Sequence, residues 1–587
     1  MCGIIGYIGN GDAFPFLLKG LGKLEYRGYD SAGVAVLSNE LCIQKNLGKL
    51  KDIQFQAVPG EIGIAHVRWA THGKVSVENA HPHLDCKKEL AVVHNGIFEN
   101  YRELKNYLST LGHTFSSETD TEVAAHLIEE FMLQGFSFEE AVVNAVKMLQ
   151  GSFTLLVIKR GEQKMVGARK GARSLTLGVS EDGFFPASDV LAFLDWTNQV
   201  VYLKSGDVFF ADDRGGLRIY NIDEARFVER PRDILKYASE EAKKGEFEHL
   251  MLREISEQDE TILRALKQDE TTIFGICEKI KHAGGTFFVA CGSSYHACLA
   301  GSYMFSKLAN VHVNVVLASE FENYEHFLTD RSLIFAVSQS GETADVLDAV
   351  SAAKRRGSRV VSIVNRESSI LARESDYQLF MNSGPEICVL STKTYTSQLV
   401  LMNLLAYALA DNYQDGKEKL GHLYVDIYNL TSRAMREYLA KLATMLVTNK
   451  DIYLIGRGVQ YTTALEAALK IKEVSYIHAE AFAGGEIKHG TLALIEDGVP
   501  CIVFVSQDNR DKILANAEEV KSRGGYIIGV ASEKHEIFDY WIKVPEAGEL
   551  NPIIQIIPMQ ILAYQLAVLK GLDPDKPRNL AKCVTVS

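Results

Sequence analysis

Apolar runs that end in glycine- or serine-rich turns, each followed by residues at helical spacing, pattern the C-terminal half of the chain. Thr286–Cys291 runs into Gly292-Ser-Ser and a helical stretch from Tyr295. Leu333–Val337 runs into Ser338-Gln-Ser-Gly-Glu-Thr343 and a helix through Lys354, and Arg359–Val364 follows as a third strand. About 165 residues on, the same order returns. Asp451–Ile455 precedes Gly456-Arg-Gly458, Cys501–Val505 precedes Ser506-Gln507, and a helix over Lys512–Arg523 leads to a strand at Tyr526–Val530. Continuous apolar strands alternating with amphipathic helices predict parallel sheets covered on both faces, hence two doubly wound α/β domains of similar topology. The N-terminal part reads differently. Short strands at Ile62–Val67, Leu90–Val93 and Phe153–Ile158 stand among turns, with helices over Tyr101–Leu111 and Thr121–Met132, which predicts an α+β layered domain. The charged segment Glu229–Phe247 reads as a linker or a solvated helix face.

Composition narrows the function more than the fold. The chain has 587 residues, 47% of them hydrophobic and 23% charged, which suits an ordered globular protein. At about 150 residues per domain it has room for roughly four domains. Its net charge of -13 and the lack of a basic run argue against nucleic acid, which needs a local surplus of positive charge. No stretch is uninterruptedly apolar for about 20 residues, so no membrane span is expected. Asn551–Leu572, interrupted by Pro552, Gln555, Pro558, Gln560 and Gln565, reads as a buried helix. The N-terminus lacks the basic-then-apolar order of a secretory signal. Nine cysteines without CxxC or Cys/His spacing predict neither disulfides nor a metal site, and a reducing cytoplasm fits.

The loop Ser338–Thr343 lies where α/β sheets bind ligands, between a strand's carboxyl end and a helix. Unpaired N–H groups there suit a phosphate, Ser338, Ser340 and Thr343 add hydroxyls, and Gly341 permits close approach. Ser293 and Ser294 hold the equivalent place after the first strand. Serine and threonine also cap helices; one such loop would favour capping, whereas two in one domain favour a ligand. In the second copy Asp508 opens the helix and would repel an anion. Without a Walker A or GxGxxG motif, a small phosphorylated metabolite is a better guess than a nucleotide. The second copy offers proton chemistry instead. Glu466, Lys470 and Glu473 share a helix face, which ordinarily means a surface salt-bridge stripe. The adjoining turn Gly484-Gly-Glu-Ile-Lys-His-Gly490, with Glu486, Lys488 and His489, favours the acid, amine and imidazole of an aldose–ketose proton transfer.

Cys2 follows Met1 directly, and removal of Met1 leaves a thiol and an α-amine on one residue, the amine able to act as base. The alternative is a cysteine that merely starts the buried strand Gly3–Ile8. Arg68 can grip a carboxylate through two hydrogen bonds. Asn95 and Gly96 form a candidate oxyanion hole, and Asp120 can receive an ammonium group. Together these suit an α-amino acid amide such as glutamine.

At these residues the chain resembles the glucosamine-6-phosphate synthase family, the isomerising glutamine–fructose-6-phosphate aminotransferases. The resemblance runs over essentially the whole chain, through Met1-Cys-Gly-Ile-Ile-Gly-Tyr7, Tyr26-Arg-Gly-Tyr-Asp-Ser-Ala-Gly33, Arg68-Trp-Ala-Thr-His-Gly73, the Ser338 loop and Lys576-Pro-Arg-Asn-Leu-Ala-Lys582. It implies an N-terminal-nucleophile glutaminase domain of αββα layers over 2–230, a linker at 231–241, sugar-isomerase (SIS) domains over 242–425 and 426–575, and a catalytic tail at 576–587. Cys2 would be the nucleophile, with Arg27 supporting it and Asn95 and Gly96 as oxyanion hole. Arg68, Trp69, Thr71, His72 and Asp120 would hold glutamine, and Trp69 would gate an ammonia channel. Ser293, Ser294, Ser338, Gln339, Ser340, Thr343 and Val389 would hold fructose 6-phosphate. Lys582 would form an imine with the ketose, Glu473 would move the proton between C1 and C2, Glu466 and Lys470 would complete the relay, and His489 would assist ring opening from a neighbouring subunit. The family implies a cytoplasmic homodimer without metal or other cofactor, acting on glutamine and fructose 6-phosphate. A deglycating SIS enzyme would not need Cys2 and its clamp; a sugar-phosphate-binding regulator would not need Glu473, His489 and Lys582.

Overall fold

Alternation along the first strand sets the architecture of the N-terminal unit. In Gly3–Gly9, Ile4 and Ile8 face one way and Ile5 and Tyr7 the other, and all four are buried. Ile5 and Tyr7 pack with Ala13, Leu17, Leu21 and Leu24 of the helix Ala13–Leu24. Ile4 and Ile8 join Ile64, Val93, Leu156 and Ile158 in a core between two sheets. The computed structural model describes residues 2–70, 72–171, 173–235 and 245–584. Its first sheet has eight strands in the order 232–234, 199–202, 176–180, 183–187, 3–9, 62–68, 31–37 and 41–47, all neighbours antiparallel. The second has seven, in the order 226–228, 217–221, 207–212, 164–170, 153–159, 90–96 and 83–84. The helices Tyr101–Thr110, Glu122–Leu133 and Phe138–Met148 cover its outer face, with Leu90, Val92, Leu155 and Val157 beneath them. Helix, sheet, sheet, helix is the αββα order expected.

The charged segment read as a linker is partly strand. Arg232–Ile234 pairs with Gln199–Val201 at the edge of the first sheet. Its side chains are exposed, so ladder hydrogen bonds hold it and no apolar alternation announces it. Residues 236–244 lie outside those described.

The chain divides into two compact units, Met1–Glu241 with Cys583–Ser587, and Ala242–Lys582. The second unit contains the two predicted parallel sheets, each of five strands. In the first the order is 314–317, 285–290, 332–338, 359–364, 377–380; in the second it is 478–483, 451–456, 500–504, 526–531, 540–543. Numbered along the chain both read 2-1-3-4-5, so each sheet has its switch point between strands one and three, where a crevice opens at the carboxyl ends. One hydrophobic core runs through both repeats. Its centre includes Lys393–Leu409, buried on every side, and Asn551–Leu569, the apolar helix expected to be internal. The latter lies within a 22-residue stretch long and apolar enough to cross a bilayer, and 83% of its most apolar window is buried in the protein.

Candidate active site

In the N-terminal unit three neighbouring strands bring the predicted amidase residues together. Strand 3–9 follows Cys2, strand 62–68 ends at Arg68, and strand 90–96 ends at Gly96. The Cys2 Sγ lies 3.4 Å from the Trp69 N and 3.6 Å from the Trp69 carbonyl. Asn95 Nδ2 donates to the Cys2 carbonyl at 3.0 Å, and the Asn95 Oδ1 lies 3.1 Å from His66 Nε2. Gly96 has φ +126, and a Cβ there would lie 2.3 Å from the Ser152 carbonyl, so the backbone after Asn95 requires glycine. Asp120 Oδ2 accepts from the Phe98 N at 2.8 Å, and burial pushes its carboxyl above the usual range. An arriving ammonium would reverse that shift. Arg68 donates to the His72, Gly73 and Lys74 carbonyls and so wraps the loop after Trp69. His72 packs edge-on to Tyr101 and Trp69 edge-on to Tyr29. Arg27 is buried, donating to the Ser188 carbonyl at 2.9 Å beside Asp189; Ser188 in turn bonds the Ile4 N. It therefore braces the strand that follows Cys2. Thr71 lies outside the described residues.

In the second unit the phosphate-type loops flank the crevice of the first parallel sheet. Ser338 Oγ lies 2.9 Å from Thr343 Oγ1 and 3.4 Å from Ser340 Oγ, and it accepts from the Gly341 N at 3.0 Å. The Gln339 carbonyl accepts from the Asn365 N, fixing the loop to the next strand. Ser293 and Ser294 sit in the first turn of the helix Gly292–Ala309, where Ser294 accepts from Gln398 Nε2 at 3.0 Å. In the second repeat Asp508 occupies the matching helix start and pairs with Lys307 at 2.6 Å.

The Glu466–Lys470–Glu473 stripe is not a surface feature. Lys470 and Glu466 are wholly buried, with Lys470 Nζ 3.3 Å from Glu466 and 2.7 Å from Glu473. Ser293 ties them to the first repeat, donating to Glu466 at 2.8 Å and accepting from Lys470 at 3.0 Å. Burial would lower the Lys470 ammonium, but the two carboxylates outweigh it and hold it above its usual value. Burial raises Glu473 more than Lys470 lowers it. That carboxyl is a stronger base than a free glutamate, as proton abstraction requires. His489 lies on an exposed turn and joins none of these bonds.

Lys582, a tail charge by sequence pattern, is 4% exposed and paired with the buried Glu386. It also donates to the Leu390 carbonyl at 3.1 Å. The preceding tail is anchored beside it. Val389 N donates to the Asp575 carbonyl at 3.1 Å, and the Asp575 carboxylate accepts from Leu250 N and Met251 N. Sequence reasoning missed Glu386, Glu254, His296 and Gln398. Glu254 bonds the Ile387 and Cys388 N–H groups, and burial with repulsion from Glu386 lifts it to about 8. His296 bonds Glu466 at 2.8 Å. None stands in a motif; Glu386, Glu254 and Gln398 are marked only by their depth in the core, and His296 only by its bond to the buried Glu466.

Comparisons with known proteins agree with this division. The SIS domain family matches residues 279–408 and 445–570. The glutamine amidotransferase domain family matches 66–195, a span that includes Arg68, Asn95 and Asp120 but begins after Cys2. Proteins named glutamine–fructose-6-phosphate aminotransferase (isomerizing) from Thermococcus kodakarensis and Clostridium acetobutylicum are 44% and 41% identical, each over 100% of both chains. The solved C-terminal domain of glucosamine-fructose-6-phosphate aminotransferase from Francisella tularensis is 32% identical over 57% of this chain and 100% of its own, with a TM-score of 0.51. By full-length similarity and by both domain matches, the chain belongs to the isomerising glutamine–fructose-6-phosphate aminotransferase family.

Proposed function

We propose that the chain converts fructose 6-phosphate and glutamine to glucosamine 6-phosphate and glutamate by passing ammonia from a Cys2 thiol site to a sugar-isomerase site. With Met1 removed, the α-amine of Cys2 takes the thiol proton and Sγ attacks the glutamine carboxamide. The Asn95 amide and the Gly96 N–H stabilise the oxyanion, ammonia leaves, and water hydrolyses the γ-glutamyl thioester to glutamate. Arg68 and Asp120 hold the substrate's carboxylate and ammonium, with Trp69, Thr71 and His72 around it. Ammonia is channelled to the sugar, with Trp69 as the gate.

At the second site Ser294, Ser338, Gln339, Ser340 and Thr343 hold the phosphosugar, with Ser293 and Val389 beside it. His489 of a second copy of the chain assists ring opening, which makes the working form a homodimer. Lys582 transfers a proton to Glu386, attacks C2 of the open ketose and expels water to form an imine. Ammonia displaces the lysine, and Glu473 carries a proton from C1 to C2 to leave the 2-amino aldose. Nine free thiols suit a reducing compartment such as the cytoplasm.

The observation that carries this reading is Lys470, buried between two carboxylates and bonded to Ser293. A sugar-phosphate binder without turnover has no use for so costly an arrangement. Supplied with both substrates, the purified chain should form glutamate and glucosamine 6-phosphate in equal amounts. Cys2→Ala should cut glutamine hydrolysis by at least about 10³-fold and leave fructose 6-phosphate binding intact. Lys582→Ala should abolish synthesis while some glutaminase activity persists. Undiminished synthesis by either variant would overturn the assigned role.

A further inference from the structure

The fold gathers four side chains from three separate segments of the chain. Cys86 lies in the turn between strands 83–84 and 90–96, and His113 in the loop after the helix Tyr101–Thr110. His126 and Glu129 share a face of the helix Glu122–Leu133. One ligating atom from each lies within 4.8 Å of all the others. Cys86 Sγ is 3.7 Å from His113 Nδ1 and 3.5 Å from His126 Nδ1. Glu129 Oε2 is 3.1 Å from His113 Nδ1 and 3.3 Å from His126 Nδ1. A tetrahedral zinc ion with metal–sulfur bonds of about 2.3 Å and metal–nitrogen or metal–oxygen bonds of about 2.1 Å separates sulfur from nitrogen by ~3.6 Å and nitrogen from oxygen by ~3.4 Å. The four spacings match that figure to within about 0.3 Å.

The outer contacts point the same way. His113 Nε2 lies 3.2 Å from Glu130 Oε2, and His126 Nε2 lies 3.7 Å from Glu122 Oε1. Carboxylates behind the distal ring nitrogens are the usual means of orienting metal-bound imidazoles. Glu122 is itself fixed by the N–H and hydroxyl groups of Ser116 and Ser117, each at 2.7 Å. The two rings lie side by side, their centres 5.3 Å apart, with both Nδ1 atoms turned toward Cys86 Sγ and Glu129 Oε2. A dication bound at the two Nδ1 atoms would leave each Nε2–H facing the carboxylate behind it. The rings and Glu129 are buried while Cys86 is exposed, which gives a route of entry.

We infer that Cys86, His113, His126 and Glu129 form a structural zinc site in the amidotransferase unit. Four protein ligands close the coordination sphere, so the ion stabilises and does not react. It ties the turn at Cys86 and the loop at His113 to a helix that begins two residues after Asp120, and so holds the glutamine end of the site. The expectation of no metal rested on local spacing, which does not reveal ligands drawn from three separate segments.

The test uses the full chain, purified without an affinity tag or added metal. Elemental analysis should find about one zinc per chain. After chelation, Co²⁺ should bind with the same stoichiometry and give the thiolate charge-transfer band and visible bands of a four-coordinate site. Cys86→Ala should lose the charge-transfer band and at least about fivefold of its zinc, while Cys2→Ala keeps both. Zinc below about 0.1 per chain with no cobalt band, or a band that survives in Cys86→Ala, would overturn the site. Should Cys86→Ala fold poorly, metal content and the cobalt spectrum of the unaltered chain still decide.

Discussion

Glu473 shows how a single residue acquires its chemistry from its surroundings. Three residues after Lys470 and seven after Glu466, it looks like one member of a surface stripe. In the fold Lys470 is fully enclosed and Glu473's carboxyl is raised by burial. A raised base loses activity as pH falls through its pKa, so the acid limb of the isomerising step should lie above the ~4.3 of a free glutamate. Glu473→Gln should remove that limb and lower glucosamine 6-phosphate formation by about 10²–10⁴-fold, with glutamine hydrolysis retained. Unchanged synthesis in a pH-profile assay would assign the proton transfer elsewhere. Cys2, Arg68 and Asn95 stand out in the sequence because they lie at strand ends, and Asp120 because it lies just before a helix. Glu386 and Glu254 were not, since a glutamate in a loop carries no sign that the core will close over it.

Among the elements, the turn Ser338–Thr343 was legible because its composition and its place after an apolar strand agree. Gly341 has φ +65, and a Cβ there would stand 2.2 Å from Ser369 Oγ. Gly341→Ala should therefore destabilise the turn by about 1–3 kcal/mol. Calorimetric titration should find weaker fructose 6-phosphate binding, with glutaminase activity unaffected; unaltered affinity would mean the loop does not hold the phosphate. The continuous apolar strands announced both parallel sheets for the same reason. The edge strand Arg232–Ile234 escaped notice because its exposed side chains follow no pattern and the backbone alone pairs it.

On the scale of the whole molecule, the amidotransferase unit encloses His66, His81 and His94, with His66 stacked on His81 at 3.9 Å. Burial lowers His66 to about 3 and the other two well below the usual value; Arg68, His72, His83 and Arg173 face them and oppose further charge. Folded values below the unfolded ~6.5 mean that the unfolded chain gains protons first. Stability is therefore complete above about pH 6.5 and falls as pH drops below it, by up to about 1.4 kcal/mol per pH unit for each ring. Urea unfolding monitored in this unit should show its midpoint declining from pH 7 to 5. His66→Asn should flatten the slope; an unchanged slope would place the acid sensitivity in other groups.

The sequence by itself determined the repeated α/β grammar and the glycine-bound turns, and it singled out the candidate amidase residues. Each depends on local periodicity or on a residue type out of place in its own segment. Tertiary structure alone decided that Lys470 is enclosed, that Lys582 is anchored against Glu386, and that Cys86, His113, His126 and Glu129 converge. Burial and convergence arise when segments far apart in the chain pack together, and that packing sets the dielectric, the partners and the charge each side chain carries.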